Sequence, residues 1–139
     1  MVTCPHDYEA IFINVGQGDA TLVHHLTGVR SVLIDAGRCA KSVLPVLSQK
    51  GKLQAIFITH WDSDHSGGLP SVIKWLSSQC QRGVSVFINR QLSFSNSSKR
   101  LIQALDEADE DGTIVLKGAY IAVFSWMNYR YRAQRGKDR

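Results

Sequence analysis

Four side chains able to hold a divalent cation fall within six consecutive residues of the run Ile58-Thr59-His60-Trp61-Asp62-Ser63-Asp64-His65-Ser66-Gly67-Gly68-Leu69. They are His60, Asp62, Asp64 and His65. Imidazole nitrogen and carboxylate oxygen together suit zinc, manganese or iron. His60 and Asp62 alternate, so both point one way in an extended segment. Asp64 and His65 are adjacent and suit a second, neighbouring position. In isolation such a run also reads as a polar loop with two helix-capping aspartates. The apolar strand before it, and the Gly-Gly and helix after it, favour the ligand reading.

The elements that must position this loop follow from periodicity. Glu9 to Val15, Ala20 to His25 and Arg30 to Asp35 read as strands, the last two as a hairpin. Ala40 to Lys50 switches to helical spacing on Val43, Leu44 and Leu47, with Pro45 inside it. Gln54 to Thr59 is a buried strand that runs directly into His60. Pro70 to Gln81 reads as a helix on Val72, Ile73 and Leu76, with Cys80 buried on it, and Val84 to Asn89 as a strand. Ser97 to Glu110 is an amphipathic helix, and Thr113 to Leu116 and Tyr120 to Phe124 are the last strands. A meander followed by strands alternating with helices is an α/β sheet with helices on at least one face.

The run His60-Trp61-Asp62-Ser63-Asp64-His65 resembles the metal-binding signature of the metallo-β-lactamase fold superfamily, usually His-x-His-x-Asp-His. Asp62 stands where the second His is usual. With Val15-Gly16-Gln17-Gly18-Asp19-Ala20 upstream and Leu33-Ile34-Asp35-Ala36-Gly37 between, the chain resembles the ComEC-like competence branch over about residues 9 to 90. The resemblance implies one half of an αββα sandwich, with a mixed sheet and helices on one face. It also implies a binuclear centre, with His60 and Asp62 serving one ion and Asp64 and His65 the other. Such centres activate hydroxide for attack on phosphodiester, ester or lactam groups, with Asp64 orienting the nucleophile. Zinc is the expected metal. Asp62 adds hard oxygen and tilts the site toward manganese or magnesium.

Other residues border the site. Asp19 follows Gly-x-Gly and either lies near the metal loop or closes a turn on nearby amides. Asp35 ends a strand and is either an acceptor for a ligand histidine or an Asx turn before Gly37. Trp61 either packs over the site or joins the core. His24 and His25 read as structural or exposed rather than as ligands. Gly16-Gln17-Gly18 is no dinucleotide fingerprint, because Thr21 occupies the third glycine position. The acidic run Asp106 to Asp111 reads as the solvated end of a helix, whose last turn should fray against the macrodipole.

Composition bounds the rest. The 139 residues, 44% hydrophobic and 20% charged, fit one globular domain and exclude long disorder. No stretch is apolar for long enough to span a membrane, and Met1 to Ala10 lacks the basic residues of a secretory signal. The net charge of +4 is uneven: residues 1–126 hold eleven Lys/Arg against eleven Asp/Glu. The excess lies in 127–139, expected to be a disordered basic tail after a domain over 1–126. Arg130 and Arg132 alternate there with Tyr129 and Tyr131, so phosphate binding by charge and stacking is a second reading of the tail. An out-of-register remainder of an interrupted gene is a third. Three scattered cysteines exclude a disulfide framework and suit a reducing cytoplasm.

All five histidines lie at or before position 65. Complete relatives draw further ligands from a second half, so the resemblance implies that this chain supplies only the first. A homodimer or a separate partner subunit is then expected to cover the missing half. The expected function is a metal-dependent phosphodiesterase or nuclease, with nucleic acid as a partner. The alternatives are a catalytically incomplete half-domain acting as an interaction module, or a hydrolase of small esters, lactones or cyclic nucleotides.

Overall fold

Short β-branched and apolar runs separated by glycine turns favour strand pairing between neighbours, and the first half of the chain follows that rule. The computed structural model describes residues 7–26, 30–88 and 96–117. Strands β1 (Tyr8–Phe12), β2 (Thr21–His25) and β3 (Arg30–Ile34) form an antiparallel meander, with Ile11 opposite Leu22 and Leu22 opposite Leu33. The strands β4 (Lys52–Ile58), β5 (Val84–Ile88) and β6 (Ile114–Leu116) then add in parallel. The six strands form one mixed sheet in the order β1-β2-β3-β4-β5-β6.

Each parallel step is made through helix. The helix α1 (Val43–Gln49) links β3 to β4, α2 (Ser63–Ser66) and α3 (Leu69–Ser78) link β4 to β5, and α4 (Asn96–Asp111) links β5 to β6. Because the strand order advances in one direction, right-handed crossovers bring all these helices to the same face. Leu22, Leu33, Ile56 and Val86 meet Val43, Leu47, Val72, Leu76, Leu101 and Leu105 there in one buried cluster. Leu53 and Ile56 both point inward because the β3–β4 register shifts between Ser31 and Val32, which leaves Gln54 as an extra residue.

The opposite face carries no helix among the described residues. Phe12, Thr21, Ile34, Phe57 and Phe87 align in register across five strands. Phe12 is 82% exposed and Phe57 39%, and Phe57 stacks on Phe87 at 4.6 Å between ring centroids.

Several sequence expectations shift. The first strand stops at Phe12 instead of Val15. Helix α1 starts at Val43, so Pro45 falls in its first turn, where its missing N–H costs nothing. Cys80 is not a buried helix residue: α3 ends at Ser78, and Cys80 is exposed in the left-handed region at φ 53°. Its amide donates to the Ser77 carbonyl and that of Gln81 to the Leu76 carbonyl, a Schellman ending. The acidic run is helical to its last residue. Helix α4 continues through Asp111, whose carboxylate accepts the Thr113 amide (2.8 Å) and hydroxyl (2.6 Å). Arg82 donates to the Asp111 carbonyl at 2.6 Å. The two Thr113 bonds, with the nearby Arg82 charge, hold the Asp111 carboxyl below its usual range. The expected strand at Tyr120 to Phe124 and the basic tail lie outside the described residues.

Candidate metal centre

The candidate loop begins where β4 leaves the sheet. Trp61 is 3% exposed and belongs to the core, anchoring the chain between His60 and Asp62. The Ser66 hydroxyl donates to the Trp61 carbonyl at 2.9 Å, closing the loop beneath. Asp62 sits at the N-cap position of α2 with extended backbone, and its carbonyl accepts the amides of His65 (3.0 Å) and Ser66 (2.9 Å). Its side chain makes no capping bond. Asp64 and His65 therefore project from a single helical turn.

Two glycine-rich segments dock that turn. The Asp19 amide reaches the Asp64 carbonyl at 3.3 Å, and the Ala36 amide the His65 carbonyl at 2.8 Å. Gly37 binds the Asp19 carbonyl and Gly68 the Gly37 carbonyl, each at 2.9 Å. Gly18, at φ 112°, lies so close that a Cβ there would meet the Asp64 carbonyl oxygen at 1.9 Å. A Cβ on Gly68 would meet the Ala36 carbonyl oxygen at 2.2 Å. The glycines thus serve close approach of three backbone segments.

Beneath the loop lies Asp35, 3% exposed and in the left-handed region at φ 59°. Its Oδ1 accepts the Thr59 amide at 2.8 Å. Its Oδ2 accepts the Thr59 hydroxyl at 2.5 Å and lies 2.9 Å from His65 Nδ1. His60 Nδ1 lies 2.8 Å from the same hydroxyl, and the two imidazole rings sit 4.4 Å apart. Asp35, His60 and His65 each offer a ligand atom within 4.8 Å of the others. The Asp64 carboxylate is 3.8 Å from His65 Nε2, and that of Asp19, 75% exposed, is 3.7 Å from His65 Nδ1. The exposed Asp62 carboxylate is not part of the three-residue group.

Burial pulls the His65 pKa down, but the Asp35 hydrogen bond and the charges of Asp35, Asp64 and Asp19 outweigh it and raise it overall. With Nδ1 facing Asp35, the Nε2 lone pair of His65 is the one available to a cation. Two imidazoles and nearby carboxylates are the donor chemistry a divalent transition metal takes, so these residues fit such an ion.

His24 and His25 stand apart from this group. His24 Nδ1 is buried with no hydrogen-bond partner, and His25 meets the Tyr8 ring edge-on at 4.8 Å. The sequence marks Thr59 only as a hydroxyl at the end of an apolar strand, immediately before a candidate ligand.

Residues 13–77 match the family model of the metallo-beta-lactamase superfamily. No curated protein matches. Among solved structures, the crystal structure of DIM-1 metallo-beta-lactamase exposed to ceftazidime is 13% identical, with a TM-score of 0.34. The alignment covers 84% of this chain and 51% of that one, so the chain spans about half the length of that relative. The Asp35, His60 and His65 group lies within the matched segment.

Proposed function

We propose that this chain carries the metal loop of a metal-dependent hydrolase that cleaves phosphodiesters, with nucleic acid as its substrate. The observation that carries the reading is the convergence of His60, His65 and Asp35 inside the superfamily-matching segment. In this reading His60 and Asp62 hold one ion and Asp64 and His65 a second. The metal is zinc, or manganese or magnesium where the hard oxygen of Asp62 dominates. A divalent ion supplies the positive charge that acidifies water and stabilises the negative charge developing on the scissile group.

The chain's own residues do the rest. Asp64, on the first turn above His65, orients the attacking water and takes its proton. Asp35 holds the His65 ring from below. Asp62 in place of a second histidine supports the ComEC-like branch, and through it the choice of nucleic acid. Ions of this kind need three or more protein ligands each. A second copy or a separate subunit, packed on the exposed sheet face, supplies the remainder. No helix among the described residues is long and apolar enough to cross a membrane. The three scattered cysteines suit the reducing cytoplasm that this reading assigns to the protein.

The test is to strip the protein with chelator and reload it with zinc or manganese. The loaded protein is then offered single- and double-stranded DNA, a generic phosphodiester, a lactone and a thioester. Phosphodiester cleavage that disappears with chelator and in Asp64→Ala is the expected result. Equal cleavage by Asp64→Ala, or turnover of the lactone alone, sinks the reading.

A further inference from the structure

We infer that Asp35 and Thr59 form a single hydrogen-bonded clamp that fixes the tautomer of both His60 and His65, turning the Nε2 lone pair of each ring outward. The assignment rests on donor and acceptor counting. An ionised carboxylate only accepts, so the Thr59 hydroxyl, 2.5 Å from Asp35 Oδ2, spends its one proton there. Its oxygen is left to accept, and the atom placed to donate is His60 Nδ1 at 2.8 Å. On the other side His65 Nδ1, 2.9 Å from the same Oδ2, donates to it directly. The chain of bonds therefore runs from His60 Nδ1–H to Thr59 Oγ1–H to Asp35 Oδ2, with His65 Nδ1–H arriving from the opposite side.

Two features make the clamp rigid. Asp35 is almost fully buried, so water does not compete for its oxygens. Its Oδ1 is held by the Thr59 backbone amide at 2.8 Å, so the residue carrying the hydroxyl is fixed at two points. With Oδ2 already accepting two bonds, Asp35 acts as a positioning residue for both rings and not as an ion ligand, although it lies within 4.8 Å of their ligand atoms. Thr59 extends this hold to the more exposed ring, His60. Carboxylates that orient ligand histidines are a general device; here one carboxylate reaches two rings, the second through a hydroxyl.

The clamp rests on the metal-centre reading for its purpose but not for its test. In metal-free protein labelled with 15N at histidine, held at about pH 9 where imidazole is neutral, long-range proton–nitrogen NMR reports which nitrogen carries the proton. Both His60 and His65 are expected in the Nδ1–H form. Thr59→Val should release His60 to a mixture while His65 stays fixed, and Thr59→Ser should restore His60. Cobalt affinity should follow the same order, about 10–100-fold weaker in Thr59→Val and recovered in Thr59→Ser. A wild-type His60 protonated on Nε2, or a His60 unmoved by Thr59→Val, overturns the clamp. Wild-type protein with the expected tautomers that binds no cobalt contradicts the metal-centre reading and leaves the clamp standing.

Discussion

Around His65, three carboxylates act on one ring, and the consequence is a pH dependence with two opposite signs. Burial disfavours the imidazolium, yet the Asp35 bond and the Asp35, Asp64 and Asp19 charges raise its pKa above the ordinary value. A raised folded-state pKa stabilises the fold fully below the unfolded value, about 6.5, and that stabilisation is lost as pH rises through the folded value. Metal-free protein should therefore melt higher at about pH 6 than at about pH 8. Metal binding needs the neutral ring, so affinity should fall over the same window as pH falls. Thermal melts across this range, with chelator and with zinc, check both signs. Parallel trends in the two series contradict the account. His60 and His65, two of the three residues that converge in the structure, were legible in the sequence, since they stand in one polar run. The role of Thr59 was not, because a hydroxyl bonded to a carboxylate 24 positions away leaves no local pattern.

At the scale of elements, the glycine-rich turns and helix endings decide how firmly the loop is held. Gly18→Ala places a Cβ 1.9 Å from the Asp64 carbonyl oxygen, on a backbone that already favours glycine. It should cost more than about 1 kcal/mol and weaken metal binding with it, because the same amide segment docks α2. Urea unfolding and a metal titration on one variant measure both, and an unchanged midpoint speaks against the docking. Cys80 gives the reverse case. A non-glycine residue occupies the left-handed position of a Schellman ending, so Cys80→Gly should stabilise by about 1 kcal/mol. A midpoint that falls contradicts this. Strand and helix order followed from periodicity alone, as with Leu101 and Leu105 in α4. What escaped were features set by single contacts. Four-residue α2 is too short to show a period, and α4 runs on through its acids because Thr113 and Arg82 bind Asp111.

For the whole molecule, the unequal faces of the sheet matter most. One face is buried under α1, α3 and α4, while the other presents Phe12, Phe57 and Phe87 in one row. Sheets bury apolar faces by packing on another sheet about 10 Å away. We propose that, for the isolated chain in solution, a second copy supplies that sheet. Light scattering should give about twice the 15.5 kDa chain mass, and Phe57→Asp with Phe87→Asp should return it to one chain. A wild-type monomer at every concentration contradicts self-association and points to a different polypeptide on this face. The face was foreseeable only in part. Alternation marked the strands, but the absence of a covering helix among the described residues depends on every crossover landing on the same side.

The central claim is that the loop from His60 to His65, held from below by Asp35, binds a divalent metal. The most direct measurement is the metal content per chain after zinc loading and removal of free ion, for the wild type and for His60→Ala with His65→Ala. The account predicts at least about one tightly held ion per wild-type chain and none in the double variant. A wild-type chain that retains no metal, or a double variant that retains as much, would contradict it.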